Sequence, residues 1–88
     1  MVERVVTIKN KSGLHTRPAA TLVKLAAKFR SDLSISKDGY VINGKSIIGV
    51  MTLTAEQGAT LTLIVSGEDE AEAADALTRL FDEGFGEL

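Results

Sequence analysis

Hydrophobic residues recur at every second position in three segments of the chain, although Arg4 interrupts the first segment near its start. These segments are Val2 to Ile8, Leu33 to Ile35 and Ala59 to Ser66. This period is typical of a strand with one buried face. Asp38-Gly39 is a hairpin turn signal, so the pattern predicts that Tyr40 to Ile42 pairs back as a further short strand.

Two longer segments carry apolar residues at steps of three and four, the spacing of one helix face. The first helix runs from about Thr16 to Phe29, and Pro18 fits its opening turn because a first-turn N–H has no intrahelical partner. The last helix follows Asp69, which together with Glu72 has the spacing of a capping box. The predicted buried faces are, in chain order, Ala19, Leu22, Val23, Ala26 and Phe29, then Ala73, Leu77, Leu80, Phe81 and Phe85.

The last helix is bounded by two local signals. The acidic run Glu68-Asp69-Glu70 complements the positive end of a helix, so we assign it to the helix start and not to a metal site. Gly84 is expected to end the helix.

The segment from Ser46 to Leu53 carries conflicting signals. Ile47, Ile48 and Val50 are β-branched, so local propensity favours a strand. Ser46 is a good N-cap residue, however, and the apolar positions do not alternate, which favours a short helix.

Composition excludes several classes of protein. A net charge of −2 gives no reason to expect binding to nucleic acid or to an anionic membrane. The chain has no cysteine and a single histidine, which argues against disulfides and against the usual zinc and transition-metal sites. No export signal or membrane-spanning run is visible. We therefore expect a cytoplasmic protein without metal, cofactor or membrane insertion.

The stretch Gly13 to Ala20 holds the only histidine and the only proline of the chain. The predicted helix start places His15 beside the free backbone N–H groups of Thr16 and Arg17, at the positive end of the helix dipole. An imidazole, two amides and a guanidinium together can hold a phosphate covalently on the ring. The alternative for a lone histidine is a solvent-facing side chain that caps the helix.

Two motifs, GLHTRPAA at 13–20 and NGKSIIGVMTL starting at Asn43, together resemble the HPr family, the histidine phosphocarriers of the bacterial phosphoenolpyruvate-dependent sugar phosphotransferase system. The similarity runs the length of the chain, and it decides for a short helix after Ser46. The element order is then βαββαβα. We expect an α+β fold, an open-faced two-layer sandwich with three helices on one face of a four-stranded antiparallel sheet, forming one domain over 1–88.

The resemblance implies a phosphocarrier and not an enzyme that turns over a small molecule. His15 is expected to accept a phosphoryl group on Nδ1 from phosphorylated enzyme I and to pass it to IIA domains of sugar permeases. Thr16 and Arg17 would supply donors to the phosphoryl oxygens. No general acid or base lies near His15 in sequence, and no nucleotide cradle is present.

Docking positions follow from the same resemblance and from the short second helix, and we expect the chain to act as a monomer. A short helix that is apolar on most sides cannot bury every side chain, and an exposed apolar cluster usually marks a docking surface. The alternative places all of that helix in the core. Arg17, Lys24 and Lys28 form a basic flank below the histidine, or else an ordinary solvated face. The expected docking residues are Ala20, Lys24, Ile47, Ile48 and Met51.

Ser46 has two compatible roles. As an N-cap it needs no further explanation. The resemblance adds phosphorylation by an ATP-dependent HPr kinase/phosphorylase, which would place negative charge beside the docking helix.

Two other functions stay open. Within the family, the alternative is a nitrogen-related or purely regulatory phosphocarrier without sugar transport. The ending Phe81 to Phe85 has some of its character, whereas NGKSIIGVM resembles the sugar-type form. Outside it, a small RNA- or ligand-binding α+β module would leave the histidine incidental. An RNA reader needs exposed aromatic residues on a sheet, and the chain has three Phe and one Tyr, spaced far apart.

Overall fold

The computed structural model describes residues 1–87, and within this range the predicted order of elements is confirmed. The elements are β1 (Val2–Thr7), α1 (Thr16–Ala26), β2 (Asp32–Lys37), β3 (Tyr40–Asn43), α2 (Ile47–Met51), β4 (Thr60–Ser66), α3 (Glu70–Asp82) and a closing 3₁₀ turn (Gly84–Gly86).

The strands form one antiparallel sheet in the order β1-β4-β2-β3. The central strand β4 pairs with β1 on one side and with β2 on the other, and β3 pairs with β2 at the far edge. Because side chains alternate between the two faces of a strand, Leu61, Leu63 and Val65 all point toward the core. Each of them is at most 1% exposed.

The helices cover only one face of this sheet. Leu22 of α1 and Leu77 and Phe81 of α3 are at most 1% exposed, as the predicted helical stripes require. On the opposite face Val5 is 69% exposed and Val41 is 56% exposed. The α+β open-faced sandwich is therefore confirmed.

Helix α1 ends at Ala26, earlier than the predicted end near Phe29. The N–H groups of Lys28 and Phe29 donate to the carbonyls of Leu25 and Ala26, three residues back, so the last turn tightens and the chain leaves the helix. The carbonyl of Phe29 accepts a 2.8 Å hydrogen bond from Nζ of Lys45, which joins the end of α1 to the approach to α2. Within residues 1–87, no helix is both long enough and apolar enough to cross a membrane.

Helix α2 confirms the interpretation that the family motif favoured over local strand propensity. Ser46 has extended backbone angles and accepts a 3.1 Å hydrogen bond from the Gly49 N–H on its Oγ, as an N-cap should. Val50 is fully buried, and α2 packs against α1 and β3. Tertiary packing of Val50 thus outweighs the β-branched character of the segment.

The predicted capping box at the start of α3 is wrong. Asp69 occupies the N-cap position but makes no capping bond within its own helix. Its carboxylate accepts instead from the N–H groups of Arg30 and Ser31, both at 2.9 Å, and from the Ser31 hydroxyl. These bonds, above all the one from the Ser31 hydroxyl, lower the pKa of Asp69 to about 2. The turn between α1 and β2 needs an acceptor there and takes the side chain that the helix was expected to use.

Helix α3 ends at Asp82, two residues before the Gly84 that was expected to end it, and the chain then reverses. Gly84 has a positive φ of 60°, and the next residue, Phe85, turns back into the core. The rings of Phe81 and Phe85 meet edge to face, with their centroids 4.9 Å apart. This reversal sends Glu87 back toward the loop that precedes α1.

Candidate functional site

His15 lies at the N-cap position of α1 with its side chain unused by the helix. Its backbone is extended, its carbonyl accepts a 3.0 Å bond from the Ala19 N–H, and its ring makes no capping hydrogen bond. About 43% of the side chain is exposed. The alternative of a helix-capping histidine is therefore wrong.

The first turn of α1 leaves donors available around this ring. Among residues 1–87, no acceptor is found for the backbone N–H of Thr16 or of Arg17, and Pro18 has no N–H. The side chains of Thr16 and Arg17 are exposed, and the Arg17 guanidinium forms no ion pair with a described carboxylate. The predicted pair of free amides at the positive end of a helix is thus present.

The loop that carries His15 is fixed by buried backbone bonds. The Leu14 N–H donates to the carbonyl of Ala55 at 2.9 Å, and Leu14 itself is buried. Gly13 has a φ of +68°, and a Cβ at this position would lie 2.4 Å from the same carbonyl oxygen. Only glycine fits there, so the backbone that leads to His15 is held in one conformation.

A residue that the sequence did not reveal completes the site. Both carboxylate oxygens of Glu87 lie 3.3 Å from Nε2 of His15. One of them, Oε1, also accepts a 3.0 Å hydrogen bond from Nδ2 of Asn10. No general acid or base lies near His15 in sequence, but in space the Glu87 carboxylate lies beside the ring. Glu87 stands 72 positions away along the chain, and no local pattern marks it.

These groups open into one cleft of about 620 Å³. The cleft is lined by three cationic residues and by one carboxylate residue, Glu87. The cationic residues are Lys9, Lys11 and Arg17. The cleft therefore suits a small dianion such as a phosphoryl group, with His15 on its wall. The remaining lining residues are Ser12, Gln57 and Gly86.

Comparison with known proteins agrees with this chemistry. Residues 2–83 match the family model described as the PTS HPr component phosphorylation site. The chain belongs to the HPr family of phosphocarrier proteins. The phosphocarrier protein HPr of Xylella fastidiosa is 45% identical over 87 residues, covering 99% of this chain and 98% of that protein.

Solved HPr-family structures share the fold. The crystal structure of HPr from Thermoanaerobacter tengcongensis has a TM-score of 0.96 at 46% identity and covers 100% of this chain and 99% of that one. The catabolite repression protein Crh of Bacillus subtilis, described as a swapped dimer, has a TM-score of 0.78 at 44% identity, covering 96% and 97%. These relatives therefore do not test the expectation that this chain acts as a monomer.

In this HPr-family chain, the predicted docking residues on α2 are exposed. Ile48 is 74% exposed, Met51 is 40% exposed and Ile47 is 37% exposed, while only Val50 of this helix is buried. The alternative that the whole segment lies in the core is wrong. The remaining predicted docking residues lie on α1, where Ala20 is half-buried and Lys24 is exposed.

The His15 cleft and the Ser46 region are separate places on the surface. None of the residues that line the cleft comes from α2. Ser46 is half-buried, and its hydroxyl is held by the Gly49 N–H. In the described part of the chain, Lys24 and Lys28 have no carboxylate partner, so the basic flank below Arg17 faces solvent unneutralised.

Proposed function

We propose that this chain is a single phosphocarrier domain, 1–88, that shuttles a phosphoryl group on His15 between enzyme I and IIA domains of sugar permeases. The observation that carries the proposal is the exposed ring of His15 beside two backbone N–H groups that have no acceptor in residues 1–87. Such donors are positioned for oxygens that arrive with the phosphoryl group.

The transfer is a displacement at phosphorus. The lone pair of Nδ1 on His15 attacks the phosphorus of the donor phosphohistidine, and the donor N–P bond breaks as the new N–P bond forms. The electron pair of the broken bond returns to the donor ring, so no proton needs to change hands. Thr16, Arg17 and the helix dipole stabilise the phosphoryl oxygens, which is the main work of catalysis in reactions of this class. The chain is thus a phosphorylated intermediate and not an enzyme in its own right.

The exposed surface of α2 and the basic flank of α1 are the proposed docking surface. Ile47, Ile48 and Met51 offer apolar contact, and Arg17 and Lys24 attract an acidic partner. A carrier must present the same nitrogen to two different active sites, and an open cleft together with an exposed apolar patch on α2 meets that need.

Ser46 is proposed as a regulatory phosphorylation site for an HPr kinase/phosphorylase. Its position beside Ile47 means that a phosphoryl group adds about −1.5 to −2 charge at the edge of the docking surface. Enzyme I would then meet repulsion where it now meets apolar side chains.

The carrier is proposed to act as a monomer, because β1 is secured within its own chain. All of its residues pair with β4, and Arg4 and the N-terminal amino group form ion pairs with Asp75 and Glu70 of α3. Light scattering at working concentration tests this, and a dimeric mass would contradict it.

The decisive experiment mixes the chain with enzyme I and radiolabelled phosphoenolpyruvate. Label that is labile in acid and stable in base, and that is absent from His15→Ala, supports the carrier function. Absence of label from the wild-type chain would rule it out.

A further inference from the structure

Three side chains form a hydrogen-bonded series that ends on the ring of His15. Asn10 is 1% exposed, and its Nδ2 donates to the carbonyl of Gly13 at 2.8 Å and to Oε1 of Glu87 at 3.0 Å. Glu87 in turn lies against Nε2 of His15 at 3.3 Å. Only 17% of the Glu87 side-chain surface is exposed, so solvent screens this carboxylate incompletely.

The polarity of the series is fixed from its buried end. A peptide carbonyl can only accept, so the amide of Asn10 must turn its NH₂ toward Gly13. The same NH₂ supplies the bond to Glu87, and that carboxylate oxygen is therefore an acceptor. Two acceptors cannot face each other, so the proton of a neutral His15 ring must lie on Nε2.

That assignment leaves Nδ1 without a proton. No hydrogen bond to Nδ1 occurs within residues 1–87, so no described group occupies its lone pair. The nitrogen that the proposed transfer needs is thus the one that the Glu87 contact keeps unprotonated. In the opposite tautomer, with hydrogen on Nδ1, the ring could not attack phosphorus there.

The backbone holds Glu87 in place for this contact. The N–H groups of Gly86 and Glu87 donate to the carbonyls of Glu83 and Gly84 at 3.1 and 2.9 Å, which closes the 3₁₀ turn. Phe85, between them, is packed in the core. The carboxylate is therefore presented by an anchored turn and also tied to a buried asparagine.

We propose that Glu87, held by Asn10, is a positioning residue for phosphoryl transfer, an inference that rests on the proposed function. It has two effects. It fixes the Nε2–H tautomer of the neutral ring. It also faces the positive charge that the ring acquires when Nδ1 carries a phosphoryl group and Nε2 keeps its hydrogen. The reaction stays balanced, because the Nε2 proton remains in place while one N–P bond is exchanged for another.

The first test measures the tautomer directly, without any phosphoryl donor. The chain has one histidine, so ¹⁵N labelling of histidine gives a single pair of ring signals. The two ¹⁵N shifts of a neutral histidine ring are furthest apart when one tautomer is fully populated. We expect that limit, with hydrogen on Nε2, in the wild type. In Glu87→Ala the two shifts should move toward each other, and in the control Glu83→Gln they should not.

The second test separates charge from tautomer. Glu87→Gln keeps an acceptor oxygen for Nε2–H and for Asn10 but removes the charge. We expect it to keep the tautomer, while the equilibrium constant for phosphoryl transfer from enzyme I falls about threefold to tenfold. Glu87→Ala should lose both the Nε2–H tautomer preference and the favourable transfer equilibrium, whereas the control Glu83→Gln should keep both. Thermal unfolding of each variant confirms that the fold is intact, and the isosteric Gln variant carries the test if the Ala variant does not fold.

The outcomes distinguish this inference from the proposed function. A wild-type ring with hydrogen on Nδ1, or unchanged ¹⁵N shifts in Glu87→Ala, would overturn the tautomer role. A transfer equilibrium in Glu87→Gln equal to that of the wild type would overturn the charge role. Failure of enzyme I to phosphorylate the wild-type chain at all would instead remove the proposed function, whatever the tautomer.

Discussion

His15 and Ser46 occupy the same position in two helices, the N-cap, and use it in opposite ways. The Ser46 hydroxyl accepts from the Gly49 N–H of its own helix, whereas the His15 ring makes no capping bond. Helix α1 has 11 residues and buries Pro18, Ala19, Leu22 and Ala26, so packing maintains it without a cap. Helix α2 has five residues and buries only Val50. A helix end can be left open for a ligand only where the rest of the helix is well anchored.

His15→Ala gives the largest expected effect, and it tests the role of the uncapped start of α1. Phosphate labelling by enzyme I should be lost completely, because no other histidine is present. The melting temperature should stay within about 2 °C of the wild type, since an exposed side chain without a capping bond contributes little. A large fall in melting temperature would mean that His15 is structural after all.

Arg17→Ala should slow transfer in both directions without preventing it. Loss of one charge-assisted hydrogen bond to a phosphoryl group costs about 1.5–3 kcal/mol, or roughly one to two powers of ten in rate. Arg79→Ala is the matched control, because this arginine is exposed on α3 and does not line the cleft. Rapid-quench kinetics with enzyme I gives both rates, and equal rates for wild type and Arg17→Ala would contradict the role.

Ile48→Glu tests whether the exposed apolar surface of α2 is a docking site. A charge placed in an apolar contact should weaken binding to enzyme I by about tenfold, or about 1.4 kcal/mol. Val41→Glu serves as control, because Val41 is also exposed and apolar but lies on the open sheet face. NMR titration measures both affinities. If the two substitutions weaken binding to enzyme I equally, or if the chemical-shift changes avoid residues 46–52, docking occurs elsewhere.

Substitutions of Ser46 separate its structural role from its regulatory one. Ser46→Ala removes the cap and should lower the free energy of unfolding by about 0.5–2 kcal/mol while leaving transfer intact. Ser46→Asp keeps an acceptor and adds charge, so transfer from enzyme I should fall about tenfold at low salt through weaker association. Stopped-flow measurement at low and high salt decides the cause. A defect that persists undiminished at high salt would point to a steric block and not to charge.

The sequence predicted the parts of this molecule that depend on neighbouring residues. Periodicity placed the strands and both long helices, and the order of polar groups placed His15 at a helix start. The sequence could not predict Glu87, because its contact with His15 requires the chain to reverse after α3 and return to the loop that precedes α1. The short helix α2 followed only from its resemblance to a known motif, since local propensity alone favoured a strand. Its stability comes from Val50, whose burial depends on α1 and β3.

Asp69 shows why an N-cap signal alone is not sufficient. The spacing of Asp69 and Glu72 is that of a capping box, yet the carboxylate bonds to a turn 38 residues earlier in the chain. Two backbone N–H groups and a hydroxyl in that turn donate to it, and the helix makes no capping bond with it. The three helix starts therefore differ. The N-cap side chain of α1 makes no capping bond, that of α2 caps its own helix, and that of α3 bonds to the turn between α1 and β2.

The smallest expected effect concerns this third helix start, and its dependence on pH appears only in acid. The folded pKa of Asp69 is about 2, below its ordinary value of 3.8. A depressed carboxyl pKa stabilises the fold fully above the unfolded value, and that stabilisation is lost as the pH falls from about 4 through about 2. Urea unfolding should thus show a constant difference between wild type and Asp69→Asn from about pH 7 to 5, which narrows below about pH 4.

Glu70 also has a lowered pKa, chiefly because of its hydrogen bond to the N-terminal ammonium group, so wild-type stability falls in acid for more than one reason. Comparison with Asp69→Asn removes that shared contribution, since both proteins keep Glu70. A difference between the two proteins that stays constant down to about pH 2 would show that the bonds to Arg30 and Ser31 do not depend on the charge of Asp69. A difference that narrows as predicted would show that the charge itself holds the turn between α1 and β2 against the start of α3.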